Sequence, residues 1–304
     1  MLSFLPSPIL LLINSILIAI NVIVIATPIM ILGIFKLLLP IKPINYVVEN
    51  INYYLYRTWV FGNRLIIGLT NNIHWHISGD PVPKTKKSCI VISNHISWLD
   101  ILFIGCIYRG NIPTTKFFMK HSLIYIPFAG LACYALGMPF LRRYSKEKLL
   151  KNPKLRNKDI KTTRAACKRL IKFPATLINF VEGSRYTAQK AKKCKSPYEN
   201  LLPPKAASLG VALSEIGKEV EYIFDTTFYY PDNHGKPFID MMLGRIKDVY
   251  ADVRIIPKEE QLEGNYLEDK QFKYEFTMQV RKLWERKDNL LKKMHQDYLE
   301  QKNK

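Results

Sequence analysis

The stretch Ser93-Asn94-His95-Ile96-Ser97-Trp98-Leu99-Asp100, which follows the apolar run Cys89-Ile90-Val91-Ile92, decides how this chain is read. An unbroken apolar run of that length reads as a strand buried on both faces. Asn94 to Ser97 supply turn and N-cap chemistry, so an apolar helix is expected from about Trp98 to Tyr108. A histidine at a strand's carboxyl end stands where open α/β sheets keep their ligands. An aspartate opening the next helix would accept a hydrogen bond from one ring nitrogen and leave the other as a general base. Taken alone, such a pair also fits ordinary surface polar residues. It gains weight from the rest of the chain.

No charged residue precedes Lys36, and Ile9 to Leu39 is almost all Ile, Leu, Val, Ala and Met, interrupted by Asn14, Asn21 and Pro28. About 20 apolar residues span a bilayer. The stretch is therefore expected to be a membrane anchor, either one long or tilted helix or a re-entrant helix broken at Pro28. A cleaved signal peptide fits poorly, because no basic region precedes the run and the run is too long.

The 304 residues carry 45 Lys and Arg against 25 Asp and Glu, a net +20. From Arg142 to Lys195 there are 18 basic and 3 acidic residues, a local net of +15. Positive segments stay on the cytoplasmic side and are drawn to anionic lipid headgroups. A basic block without interleaved aromatics and without a nucleic-acid motif favours lipid over nucleic acid as partner. The five cysteines (Cys89, Cys106, Cys133, Cys167, Cys194) form no CxxC pair. Neither a zinc site nor a disulfide framework is indicated.

Residues 1–44 are read as the anchor. Residues 45–72 follow as an interfacial helical segment with Tyr46, Tyr53, Tyr54, Tyr56 and Trp59. Residues 73–256 alternate strand and helix patterns, an α/β domain with a single mixed sheet flanked by helices. Expected strands are Ile73–Ser78, Cys89–Ser93, Thr115–Met119, Met138–Leu141, Ala175–Val181, Tyr222–Tyr230 and one near Val249–Ile255. Expected helices are Trp98–Tyr108, Ile160–Lys172 and Ala206–Ile216. Residues 257–304 form a charged C-terminal extension with a long helix from about Lys270 to Gln301. The basic stretches Lys146–Lys161 and Thr187–Ser196 are expected to be solvated loops. His74 and His76 share one face of the first strand at a spacing that suits a metal. No carboxylate or cysteine lies beside them in sequence, so they are read as ordinary strand histidines.

Two further constellations stand out. Gly137-Met138-Pro139-Phe140-Leu141-Arg142-Arg143 places arginines at the end of a short apolar strand, where a planar fork would pair with phosphate oxygens. A strand exit on a basic surface has the same pattern. Leu177-Ile178-Asn179-Phe180-Val181-Glu182-Gly183-Ser184-Arg185 repeats the layout of the histidine segment, with a strand running into a tight turn. Gly183 would let that turn be sharp, and Glu182 and Arg185 would either hold hydroxyl and phosphate groups or close the turn as an ion pair.

Together the three blocks resemble the lysophospholipid acyltransferase family, the glycerolipid acyltransferases related to bacterial 1-acylglycerol-3-phosphate acyltransferase. That family carries an N-H-x4-D block, a G-x-x-F-x-x-R block and an F-P-E-G-[TS]-R block in this order. Here they read Asn94-His95…Asp100, Gly137…Phe140…Arg143 and Phe180-Val181-Glu182-Gly183-Ser184-Arg185. Val181 stands where the family usually has proline, and a fourth block is recognisable only as Leu202-Pro203-Pro204.

The resemblance implies acyl transfer from a thioester, acyl-CoA or acyl-carrier protein, to the free hydroxyl of 1-acylglycerol-3-phosphate or another lysophospholipid, with no metal and no cofactor. His95 would be the base and Asp100 its orienting partner. Gly137, Phe140, Arg143, Glu182, Gly183, Ser184 and Arg185 would bind the acceptor. Ser97 is read as a helix cap rather than a nucleophile. A bacterial inner membrane, with the catalytic domain on the cytoplasmic face, is the expected location. The rival readings are a catalytically silent lipid-binding scaffold, which has no need of an intact His–Asp pair, and a metal-dependent hydrolase, which would need a carboxylate cluster.

Overall fold

The computed structural model describes residues 2–39, 41–142, 150–152, 154–231, 233–261 and 264–303. Its strands are β1 (His74–Gly79), β2 (Ser88–Ser93), β3 (Thr115–Phe117), β4 (Met119–Lys120), β5 (Phe140–Leu141), β6 (Thr176–Phe180), β7 (Val220–Tyr229) and β8 (Asp248–Ile255). Six of them form one sheet in the order β1-β8-β7-β2-β6-β3. β2 lies parallel to β6 on one side and to β7 on the other. The antiparallel β7–β8 pair makes the sheet mixed.

The central strand explains its own composition. Every residue of β2 is buried, and successive side chains enter opposite cores. Cys89 and Val91 join one apolar cluster, which also holds Ile178, Phe224 and Phe228. Ile90 and Ile92 join the other, with Leu177 and Ile223. Helices cover both faces. On the first lie α1 (Ser7–Leu38), α2 (Lys42–Thr70), α3 (Leu99–Tyr108), α4 (Ala129–Ala135) and α8 (Pro237–Met242), each contributing to that cluster. On the second lie α5 (Lys154–Lys172), α7 (Ala206–Ile216) and α9 (Lys270–Lys302).

Several expectations are corrected. The strand expected over Thr115–Met119 divides into β3 and β4, and β4 pairs with β5 in a separate two-stranded sheet. The strand expected over Met138–Leu141 shrinks to Phe140–Leu141, because Pro139 has no N–H to give a ladder. α5 begins at Lys154, six residues before Ile160, so the described end of the expected Lys146–Lys161 loop is helical. The expected Thr187–Ser196 loop contains α6 (Ala188–Cys194), capped by Thr187, whose hydroxyl accepts from Lys190 N. Charge drew both segments toward a loop reading, whereas Lys, Ala and Leu are good helix formers.

α1 is one helix through Pro28 rather than a pair broken there. It is long and apolar enough to cross a membrane. The chain reverses after it, and Leu2 N donates to Leu69 O (2.7 Å), so α1 and α2 run antiparallel. The polar interruptions of α1 serve this packing. Buried Asn14 donates to Met242 O (2.9 Å) and accepts from Thr70 Oγ1 (2.8 Å), and Asn21 donates to Trp59 O (3.1 Å). Leu12, Ile16, Ile20 and Val24 face outward, as do Tyr46 and Tyr54 of α2.

Candidate active site

β2 ends at Ser93, and the next five residues turn into α3. Asn94 fixes that turn to the neighbouring strand. Its amide donates to Phe228 O (2.9 Å) and accepts from Phe228 N (2.9 Å). Asp100, in the first turn of α3, is fully buried, where an ionised carboxylate needs several donors. Oδ2 accepts from Ile96 N (2.7 Å), Ser97 N (2.9 Å) and His95 Nδ1 (2.8 Å). Oδ1 accepts from the Tyr230 hydroxyl (2.8 Å). Burial and the adjacent carboxylate push the Tyr230 phenol well above its ordinary range, so it stays a donor. With a carboxylate opposite Nδ1, the neutral imidazole keeps its proton there. Nε2 is then the nitrogen able to accept one.

The second turn meets the first at the same histidine. The His95 ring stacks on Phe180 at the end of β6, with centroids 4.1 Å apart. The backbone of His95 is held on both sides, since its N–H donates to Glu182 Oε1 (2.9 Å) and its carbonyl accepts from Tyr186 N (2.6 Å). The other oxygen of Glu182 accepts from Leu202 N (3.1 Å). Both carboxylate oxygens are thus committed to main chain. Burial pushes this carboxyl up to about 8, against the two backbone donors, which favour its ionised form. Gly183 has a φ of +69°, in the region that favours glycine, and a side chain there would meet the Lys205 stem. Ser184 is half-buried and Arg185 exposed. The Arg185 guanidinium lies 5.5 Å from the Trp98 ring centroid, which joins the two turns again across the site.

The middle block is arranged differently. Gly137, at a φ of +75°, ends α4 by donating to Tyr134 O (2.9 Å). Phe140 lies in β5 and packs against the first core cluster. Arg143 lies outside the described residues. Ser97 Oγ accepts from Leu99 N (3.4 Å) and from Phe238 N of α8 (3.1 Å), but it is not the cap expected of it, since Trp98 precedes the helix and no side chain caps it. For His76 the structure supplies the partner absent from the local sequence. β8 brings Asp248 within 2.8 Å of His76 Nε2, and the ring stacks on Tyr250. Burial pushes the thiols of Cys89, Cys133 and Cys167 up to about 12, which leaves them poor nucleophiles. A cleft of about 840 Å³ between α7 and α9 has none of His95, Asp100, Glu182 or Arg185 in its walls.

Sequence reasoning passed over Tyr230, Tyr186 and the paired role of Asn94. Tyr230 closes a contact across 130 residues, which no local pattern signals. Asn94 was visible as a turn residue, but its acceptor and donor are both backbone atoms of β7.

Comparison with known proteins gives this arrangement a context. The sequence model of the family described as Acyltransferase matches residues 74–220. Relatives include 1-acyl-sn-glycerol-3-phosphate acyltransferase 3 of Arabidopsis thaliana, 30% identical over 184 residues that cover 56% of this chain and 46% of that protein. Another is 1-acyl-sn-glycerol-3-phosphate acyltransferase gamma of Mus musculus, 24% identical over 187 residues that cover 58% and 47%. The chain thus spans about half the length of these relatives. Among solved structures, the 1-acyl-sn-glycerophosphate (LPA) acyltransferase of Thermotoga maritima superposes with a TM-score of 0.52 at 14% identity, over 92% of this chain and 96% of that one. At that identity the likeness is one of fold.

Proposed function

We propose that this chain, whose residues 74–220 match the sequence model of the Acyltransferase family, moves a fatty acyl chain from a thioester donor to the free hydroxyl of 1-acylglycerol-3-phosphate, giving phosphatidic acid. The observation that carries this reading is the 2.8 Å contact between His95 Nδ1 and a fully buried Asp100. Such a pair leaves Nε2 as the ring nitrogen able to take a proton from a substrate hydroxyl.

An alcohol is too weak an acid to attack a thioester at neutral pH without a base. Nε2 of His95 accepts the hydroxyl proton as the alcohol oxygen bonds to the thioester carbonyl carbon. Asp100 holds the ring and stabilises the imidazolium. The tetrahedral intermediate then breaks its carbon–sulfur bond, and the imidazolium returns its proton to the departing thiolate. The products are an ester and a free thiol. This scheme uses only the two substrates and the chain's own groups.

Arg185 and Arg143 hold the acceptor's phosphate in this account. The sharp turn at Gly183 and Ser184 brings main chain close to it, and Gly137 and Phe140 are assigned to acceptor binding with them. Glu182 ties the two turns together. The apolar outer face of α1 attaches the chain to a membrane, and the basic excess between Arg142 and Lys195 supports a cytoplasmic orientation against anionic lipid. That membrane is the inner one if the source is bacterial.

The test is an assay of purified full-length protein with acyl-CoA and acyl-carrier-protein thioesters against a panel of lysophospholipid acceptors, read by mass spectrometry. The reading expects phosphatidic acid as the fastest product. Faster acylation of a different lysophospholipid would move the assignment to remodelling. Absence of product with every pair would overturn acyl transfer.

A further inference from the structure

The C-terminal helix α9 lies wholly beyond the segment matched by the family model, yet it reaches the candidate active site through an unbroken series of hydrogen bonds. Its buried face presents Trp284, Lys287 and Asp288, all 5% exposed or less. Lys287 anchors the helix to the sheet, donating to Thr226 O (2.8 Å) and Thr227 Oγ1 (2.9 Å) and pairing with Asp225 (2.5 Å). Its two neighbours grip the segment between α6 and α7. Asp288 accepts from Glu199 N (3.2 Å) and Asn200 N (2.8 Å). The Trp284 indole donates to Leu202 O (3.1 Å).

The gripped segment in turn holds the two residues that hold the backbone of His95. Leu202 N donates to Glu182, which accepts from His95 N. The Tyr186 hydroxyl donates to Glu199 O (2.9 Å), and Tyr186 N donates to His95 O. Residues 199 and 202 are therefore clamped by α9 on one side and, on the other, by Glu182 and Tyr186 of the turn after β6, which in turn hold His95. A helix that served packing alone would bury apolar side chains at these positions. An indole N–H and a carboxylate that direct hydrogen bonds to one short segment, the carboxylate also pairing with Lys292 one turn on (3.5 Å), do more than fill space.

We propose that Trp284 and Asp288 are positioning residues, which set the segment 199–202 so that Glu182 and Tyr186 hold His95 in line with Asp100 and the acceptor hydroxyl. The proposal rests on the reading of His95 as the base. Displacements of about 1 Å arising far from the chemistry cost roughly 10²-fold in rate, which is the scale expected if the clamp is released.

The test uses the full chain with Trp284→Phe, Asp288→Asn and Asp288→Ala. Trp284→Phe removes one hydrogen bond and little volume, so it keeps the test alive if Asp288→Ala fails to fold. In folded protein kcat should fall by about ten- to a hundredfold while both KM values hold, with Asp288→Asn milder than Asp288→Ala because the amide oxygen still accepts. Combined with Glu182→Gln, the losses should be less than multiplicative, because both act through one segment. A second readout needs no turnover. In protein labelled with carbon-13 at histidine Cε1, the signal that disappears in His95→Gln identifies His95. That signal should move in Trp284→Phe and Asp288→Ala, while those of His74 and His76 stay fixed. A merely structural helix would lower thermal stability yet leave the His95 signal and kcat per folded molecule in place, and that result overturns the proposal. A moved His95 signal in a protein that transfers no acyl group to any acceptor would support the clamp and count against the acyltransferase reading instead.

Discussion

Tyr230 and Asp100 stand 130 residues apart in the chain, and the phenol donates to Asp100 Oδ1 at 2.8 Å. The contact lets both oxygens of this fully buried carboxylate be satisfied. Oδ2 is left to His95 and to two backbone N–H groups of the turn. Tyr230 thereby holds the carboxylate plane, and the plane sets the direction of the imidazole.

Tyr230→Phe should accordingly keep the fold and weaken the pair. One hydrogen bond to a charged group is worth about 1.5–3 kcal/mol, and a tenfold change in rate corresponds to about 1.4 kcal/mol. We expect kcat to fall by about 10- to 100-fold with a smaller change in either KM. Steady-state kinetics on folded variant protein measure it, and wild-type kcat would mean that the phenol serves packing only.

The two turns that build the site were legible because their chemistry is local. A buried strand followed at once by polar turn residues needs only a dozen residues of context, and β2 with α3 and β6 with its Glu-Gly-Ser-Arg exit were read that way. Tyr230, Asp248 and the Trp284–Asp288 face were not legible, since each acts through tertiary contacts with distant strands or turns. The charged composition of α9 also disguised its buried stripe. Phe272, Phe276, Val280, Trp284 and Leu291 recur at helical spacing between lysines and glutamates.

Glu182 supplies a test by pH. Its carboxyl titrates near 8 in the folded chain because it is buried, and near the ordinary carboxylate value when unfolded. Between those values the folded state holds a proton that the unfolded state has released, so this group's contribution to stability falls as pH rises through the window. Glu182→Gln removes that dependence. Thermal unfolding measured from pH 5 to 9 should show the variant's deficit shrinking toward high pH. A deficit constant with pH would mean that the two backbone donors keep Glu182 ionised throughout.

Arg185 is exposed and borders Trp98 across the site, as expected of a group that captures a phosphate from solvent. Arg185→Ala should raise the acceptor KM by an amount worth about 1.5–3 kcal/mol and leave the donor KM nearly unchanged. Arg185→Lys should recover only part of the loss, because the bidentate fork is gone. Equal changes for both substrates would argue for a role in shaping the turn.

Membrane attachment should come from the outward face of α1 rather than from charge. Deleting the helix is a poor test, because Leu10, Asn14, Ile25 and Ile29 are part of the packed interior. Replacing Leu12, Ile16 and Ile20 with aspartate leaves that interior alone, since all three are at least half exposed. Wild-type protein should stay on vesicles in concentrated salt, because apolar insertion is not screened. The triple variant should be released. Salt extraction of the wild type would count against an apolar anchor.

The central claim is that His95 acts as the base in acyl transfer and that Asp100 directs it. The most direct measurement is the rate of phosphatidic acid formation from 1-acylglycerol-3-phosphate and a thioester donor by wild-type, His95→Ala and Asp100→Asn proteins, each first shown to be folded and to bind lysolipid. General-base assistance is worth roughly 10²–10⁴-fold, so His95→Ala should lose at least that factor. Asp100→Asn should fall nearly as far, because its amide can favour the wrong imidazole tautomer. Near-wild-type turnover by folded His95→Ala protein would contradict the account at its root.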